Sequence, residues 1–457
     1  MKDEVKVLSP TAILGYGFPR ESLKEGLARK PDVIAVDAGS TDPGPHFLGL
    51  EPEDLSGIGQ FGRVIRADLE PLLEASLVAG IPLIIGSAGG AGGTLHLMGV
   101  VYLIRDIAEK RGFHFKLATI TAEFDQGFVL ERLRAGKVEP LGPVPELTED
   151  EVRRSVRIVG QMGVEPFIEA LNMGAQVIAA GRANDPAMFA ALPIKRGFDP
   201  GLSLHMAKIL ECGAIAADPG SGSDCLFGTV RRDHFIVEPT NSARVCTVRS
   251  VAAHTLYEKS DPWRLYGPGG MVDLSRVRFE QDGPRHVKVT GSRFVPDSVY
   301  RIKLEGATRV GYRTICIAGI RDPGAIAHLD EMIEETRKRT VEQFAEVPKD
   351  EWELHFKVYG RDGVMGRLEP RAEAAHEVGL LIEAIAGTQE LASSICMFAH
   401  TIILHYGFPG RLSTAGNLAF PLSPEDIPCG SVCRFNIYHL IEVDDPVAPF
   451  PIEITEV

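Results

Sequence analysis

Four short apolar runs, each closed by a polar or glycine-rich segment and separated from the next by a helical pattern, dominate the first two hundred residues. They are Val33-Ile-Ala-Val36, Pro82-Leu-Ile-Ile85, Phe115–Thr121 and Gln176-Val-Ile-Ala-Ala180. Helical patterns lie over Glu21–Arg29, Leu69–Ala79, Leu95–Lys110 and Val164–Met173. Strands this short and apolar read as buried on both faces, and intervening helices supply the crossovers that parallel pairing requires. The expectation is an α/β fold, with an N-terminal parallel sheet built from βαβ units and Gly-rich loops. Thr148-Glu-Asp-Glu151 reads as a capping box opening a helix toward Val159, and Gly174 suits the position just past the Val164–Met173 helix.

After about residue 230 the pattern changes. Val277–Glu280, His286–Thr290, Val299–Leu304 and Thr314–Ile320 read as strands joined by turns. A helix over Gly324–Phe344, the strand Trp352–Tyr359, a long helical stretch from Arg371 to His405 and a final strand Arg434–Val443 follow. This predicts a C-terminal α+β domain. The Pro/Gly-rich stretch Asp218–Asp224 is the expected break. It divides the chain into 1–222, an α/β ligand-binding domain, and 223–457, an α+β domain offering a lid or second wall.

Charge and composition exclude several function classes. With 48 basic and 62 acidic residues the net charge is −14, which opposes a polyanion, so nucleic acid is not an expected partner. Leu95–Ile104 and Ile395–Phe408 are too short or too interrupted by histidine to span a bilayer. The opening Met-Lys-Asp-Glu-Val-Lys lacks the apolar segment of a signal peptide, so a cytoplasmic protein without a membrane partner is expected. Seven scattered cysteines fit reduced thiols, and Cys429 and Cys433 are not in CxxC spacing, so buried or incidental thiols are the expected reading.

Ligands of an open parallel sheet bind where loops converge at the carboxyl ends of its strands. The first run is followed by Asp37-Ala-Gly-Ser40-Thr41-Asp42, the second by Gly86-Ser87-Ala-Gly89-Gly90-Ala-Gly-Gly-Thr94. The third leads to Glu123 and Asp125, the fourth to Gly181-Arg182-Ala-Asn184-Asp185-Pro186. Five glycines in Gly86–Thr94, leading straight into a helix, suit an anion cradled by backbone N–H groups, or else tight strand–helix packing. Arg182 is either a clamp for carboxylate or phosphate or the partner of a loop carboxylate. Asp185 before Pro186 is the signature of a helix cap. Asp37 and Glu123 are the candidate acid/base residues, since a strand-end carboxylate out of water has a raised pKa. Ser40, Thr41, Ser87, Gly89, Gly90, Thr94, Arg182 and Asn184 are the candidate substrate contacts. Asp37, Asp42 and Glu123 are alternatively oxygen ligands for Mg²⁺ or Mn²⁺. His96, in the first turn of the following helix, either faces this site or packs. Further along, His405-Tyr-Gly-Phe-Pro-Gly-Arg411, running on to Asn417, adds His405 and Arg411 as contacts from a lid, or forms an ordinary loop.

Taken together, Ala35–Gly44, Gly86–Gly90, Gly181–Asp185 and His405–Arg411 resemble the acyclic terpene utilisation AtuA family, in its branch with a long C-terminal half. Val251-Ala-Ala-His-Thr-Leu-Tyr257 and Tyr359-Gly-Arg-Asp-Gly-Val-Met365 are similar to it as well. The resemblance implies a context of branched acids handled as CoA thioesters, and a small companion protein as partner. A homo-oligomer is also expected. The resulting function is an enzyme of carboxylic acid or acyl-CoA catabolism, with lyase (hydratase) or isomerase chemistry beside a carbonyl of a small anionic substrate or CoA thioester. The alternatives are a non-catalytic ligand-binding subunit of a hetero-oligomer and a metal-dependent hydrolase.

Overall fold

The computed structural model describes residues 3–39, 44–50, 58–371, 373 and 375–457, with backbone alone at 58–61. It is mixed α/β. The chain forms two compact units, one of Met1–Thr308 with Phe435–Val457, the other of Arg309–Arg434. It leaves the first unit within the strand Arg301–Ile320 and re-enters it within Asp426–Glu442. The division therefore does not fall at residue 222. Within residues 223–308, Leu226–Val230, His234–Pro239, Arg278–Gln281 and Val287–Thr290 extend the first unit's main sheet, and the second unit is an insertion.

In the first unit, β1 (Val5–Ser9), β2 (Val33–Gly39), β3 (Leu83–Gly90) and β4 (Lys116–Ile120) come first. They are followed by the short β5 (Val138–Pro140) and β6 (Arg157–Gly160), then β7 (Val177–Ala180), and by the hairpin of β8 (Leu226–Val230) and β9 (His234–Pro239). The parallel core runs β1-β2-β3-β7-β4; the four apolar runs supply β2, β3, β4 and β7, and β1 adds a strand that they do not include. Antiparallel strands flank it: β8 and β9 on the β1 side, and Ile452–Glu456 against β4. Every residue of β2 is buried, so its period-2 alternation sends Val33 and Ala35 into one core layer and Ile34, Val36 and Ala38 into the other.

Several local expectations need correction. β3 does not stop at Ile85 but continues through the glycines to Gly90, because those residues keep pairing with β2 as far as Gly39 opposite Gly90. The helix after Thr148 ends at Arg154 rather than near Val159: Arg157–Gly160 pairs instead with the strand Arg301–Ile320. Thr148 does cap it, accepting from the Glu151 N–H. The expected strands Val299–Leu304, from Arg301 on, and Thr314–Ile320 belong to that same strand, which carries Gly311 at φ +156°.

In the second unit, Tyr312–Ile320 pairs antiparallel with Val378–Ala386, which pairs in turn with Trp352–Tyr359. The stretch from Arg371 to His405 is thus not one helix. Val378–Ala386 alternates strictly between buried and half-buried, the signature of a strand. Thr388 then caps the helix Gln389–His405, accepting from the Leu391 N–H. That helix and Leu329–Gln343 share one apolar core with the sheet. Among the described residues no helix is long and apolar enough to cross a membrane.

Candidate functional site

The carboxyl ends of β2, β3 and β7 carry two different surfaces, one on each face of the sheet. On the face that takes Val33 and Ala35, alternation also places Asp37, which is 3% exposed. Its Oδ1 accepts from its own neighbour Ala38 N–H at 2.8 Å. Burial, with the Asp185 charge added, pushes the Asp37 carboxyl well above the usual carboxylate range, against the pull of Arg182. Ser87, within β3, is fully buried and sits at φ +47°, a conformation rare for a residue with a Cβ. Its Oγ accepts from the Ala183 N–H and from Arg182 Nη1, each at 3.3 Å.

Arg182 lies at the centre. It is 3% exposed, and its Nε donates to Glu305 Oε2 at 2.8 Å, with Nη2 donating to Oε1 at 3.5 Å. Asp185 Oδ1 accepts from Nη1 at 3.4 Å. Lys303 Nζ reaches Glu305 Oε1 at 2.7 Å. Burial works against Glu305's charge, yet Arg182 and Lys303 hold the carboxyl down to about 2. The guanidinium donors are therefore taken up by the protein, and the buried ion pair is the alternative the structure holds. Its principal carboxylate is a distant strand residue rather than a neighbouring loop group. Asp185 is not the cap expected of it: the helix begins at Ala187 with no side-chain cap, and the Asp185 carboxylate turns to Arg182.

Groups with no signal in the sequence reading complete the cluster. Lys208 and Glu211, at the end of the helix Pro200–Leu210, form a buried ion pair. Burial pushes the Glu211 carboxyl up, opposed by Lys208, while Asp185 pushes it further. The Lys208 ammonium lies 5.5 Å from the Tyr257 ring, which stacks on His254 at 5.3 Å. Burial and then Lys208 push the His254 imidazole down to about 4, and its Nε2 has no hydrogen-bond partner among the described residues. His254 and Tyr257 belong to the Val251–Tyr257 motif, whose place near the strand ends only the fold reveals. Asp37, Arg182, Asp185, Lys208, Glu211 and His254 thus come from four chain segments into one electrostatically coupled group.

On the other face the ends of β2 and β3 open a cleft of about 770 Å³ with predominantly apolar walls. Ala38, Gly39, Gly89 and Gly90 line its strand side, and Leu14, Ile65, Val100 and Leu103 its apolar body. A Cβ on Gly39 would lie 2.3 Å from Gly90 O and 2.6 Å from Ser87 Cβ, so only glycine lets the two strand ends approach. Gly89 at φ +80° faces the His96 backbone just as tightly. The glycine segment therefore serves close packing and forms the cleft wall at the same time. His96 lines this cleft and is 2% exposed, with neither ring nitrogen in a hydrogen bond of good geometry among the described residues. Burial and the Arg157 charge push it down to about 4, against a backbone contact from Phe47, so it is neutral at pH 7. Arg63 stands exposed on the same wall with no ion pair among the described residues.

The remaining candidates fall elsewhere. Glu123 Oε2 accepts from the Thr94 N–H at 2.7 Å, which makes it the cap of the helix Thr94–Arg111. Asn184 lines a separate cavity of about 150 Å³ with Glu165 and Tyr266. Ser40, Thr41 and Asp42 lie outside the described residues. In the second unit His405 is the exposed last residue of its helix. Arg411 donates to Asn417 Oδ1 at 2.8 Å and to Ala415 O at 2.9 Å, while Asn417 Nδ2 donates to Ile403 O and Tyr406 O. That loop is locked onto the end of its own helix.

Comparison with known proteins adds a family match. A model described as "Acyclic terpene utilisation family protein AtuA" matches residues 55–219 and 232–417. No curated protein matches the chain. Among solved structures, a homoserine dehydrogenase from Thiobacillus denitrificans is similar at 10% identity, over 93% of this chain and 84% of that one. Its TM-score of 0.10 is too low to carry any argument.

Proposed function

The chain belongs to the acyclic terpene utilisation AtuA family, and on that premise we propose that it is an enzyme of branched carboxylic acid catabolism. Its substrate is an acyclic acid or the corresponding CoA thioester, and its reaction is a proton transfer beside the carbonyl, as in a hydratase-type lyase or an isomerase. The observation that carries this reading is the cluster around Arg182, where two carboxyls, Asp37 and Glu211, are both pushed up by burial. A carboxyl raised toward neutrality is suited to give and take protons at physiological pH, and perturbed groups gather at catalytic sites. The cleft on the opposite face is a separate surface whose volume and apolar walls suit a branched chain, held away from the Asp37–Glu211 cluster.

Solvent-deuterium exchange at the carbon beside the carbonyl tests this directly, using short branched acids and their CoA thioesters. Asp37→Asn and Glu211→Gln should each slow exchange at least about a hundredfold while ligand still shifts the melting temperature. Full exchange in both variants would remove the cluster from catalysis. The second reading is a ligand-binding subunit without turnover, favoured by the near-complete burial of both carboxyls. It predicts a thermal shift with the same ligands and no exchange until a companion protein is added.

A further inference from the structure

The second unit holds a group of side chains that the proposed reaction does not use. Cys316 lies on the strand Arg301–Ile320, Cys396 and His400 on the helix Gln389–His405, and Asp426 at the start of the strand Asp426–Glu442. Candidate ligand atoms of Cys316, His400 and Asp426 all lie within 4.8 Å of one another. His400 Nδ1 is 3.1 Å from Asp426 Oδ1, and its Nε2 is 4.0 Å from Glu425 Oε1. Cys396 precedes His400 by one helical turn, which puts both on the same helix face, and its thiol also hydrogen-bonds Asp426. Both cysteines are fully buried and His400 is 4% exposed, while the Asp426 side chain, at 20%, leaves a route to solvent.

The geometry points to a site for a zinc-class divalent cation, held by Cys316, His400 and Asp426 with Cys396 as the fourth donor. The donor set decides the class of metal. Two sulfurs and an imidazole suit a borderline-soft ion and reject Mg²⁺ or Ca²⁺, which demand oxygen ligands. A tetrahedral zinc site places its ligand atoms about 3.5 Å apart, so Cys316, His400 and Asp426 need an inward adjustment of about 1 Å, and Cys396, which stands outside that group of three, a larger one. The charge balance agrees. Among the described residues neither Asp426 nor Glu425 has a lysine or arginine partner, so a bound cation would supply the counter-charge that they lack. A Cys–His–Asp nucleophile is the competing use of such residues, but Cys316 is wholly out of reach of a substrate. With four protein ligands from three elements, the ion would act as a staple that joins two strands to the helix between them.

The test uses the full-length protein, stripped with chelator under reducing conditions and titrated with Co²⁺. The expected result is saturation at one ion per chain, with visible bands of tetrahedral cobalt and a near-ultraviolet thiolate charge-transfer band. Zn²⁺ should displace it. Cys316→Ser should lose at least half of the charge-transfer intensity and bind at least tenfold more weakly, and Asp426→Asn should weaken binding similarly. Cys429→Ser, at an exposed position, should change nothing. A wild-type protein that shows no thiolate band at excess cobalt overturns the proposal, whatever the variants do. A band that survives both Cys316→Ser and Cys396→Ser, or that disappears in Cys429→Ser, overturns it as well.

Discussion

Arg182 and Glu305 stand 123 positions apart in sequence and meet through Nε and Oε2 at 2.8 Å, each 3% exposed. Arg182 follows β7 and Glu305 lies on the strand that leads out of the first unit, so the pair ties the rim of the parallel core to that strand. Because both charges are out of water, removing either one leaves the other buried with only its remaining partner, Lys303 for Glu305 and Asp185 for Arg182. Arg182→Met and Glu305→Gln should each cost about 3–5 kcal/mol. The double variant should be less unstable than the sum by at least about 2 kcal/mol, as read from a denaturant-unfolding cycle. Strict additivity would mean that the two side chains stabilise the fold separately.

The same pair sets an acid limit. Glu305 is held at about 2 in the folded chain against an ordinary 4.5. Its contribution is therefore complete above pH 4.5 and is lost as pH falls from there toward 2. It amounts to about 3 kcal/mol at full strength. The unfolding midpoint of wild type should fall through that window, and Glu305→Gln, already destabilised, should show a shallower slope across it.

Asp37 has the opposite sign. Its folded carboxyl is raised, so ionising it costs more in the native state than in the unfolded chain. It favours folding at low pH and opposes it as pH rises through the folded value. Asp37→Asn should raise the melting temperature at pH 7 while slowing proton exchange, a trade expected where a group is kept for chemistry rather than stability. A lower melting temperature at pH 7 would assign Asp37 a structural role.

Glu123 separates capping from catalysis. Glutamine keeps an oxygen that accepts from the Thr94 N–H but cannot carry a proton. Glu123→Gln should therefore retain exchange activity within about tenfold, whereas Glu123→Ala should lower stability by about 0.5–2 kcal/mol. A hundredfold loss of activity in the glutamine variant would return Glu123 to a proton-transfer role.

Gly39→Ala probes the junction between the two faces. The added methyl would collide with the Gly90 carbonyl and Ser87 Cβ, both held in place by the sheet. Destabilisation of about 1–3 kcal/mol is expected, with weakened binding of any ligand in the apolar cleft. Thermal melts with and without ligand read both effects.

Much of the parallel core was legible because β-type runs such as Val33–Val36 and Val177–Ala180 are apolar without interruption, and because Asp37 and Arg182 fall one or two residues after them. The stretch Arg371–His405 was not, since an alternating strand beside an apolar helix leaves one long apolar region, and only pairing with Cys316 and its neighbours divides it. Glu305, Lys208 and Glu211 carried no local signal: a charge on a strand or at a helix end reads as solvated until the fold buries it. Asp185-Pro186 misled in a related way, because a carboxylate suited to cap a helix was drawn off by a stronger partner, Arg182.

The inserted second unit has a consequence for how the protein is made. β4 finds its outer neighbour in Ile452–Glu456, so more than three hundred residues must be translated between the two. During that interval the rim of the nascent sheet beside β4 remains open on the ribosome, while Arg309–Arg434 emerges with a core of its own and is free to fold first. A ribosome-bound chain arrested before residue 450 should therefore protect the insert from protease while leaving β4 cleavable or captured by chaperones.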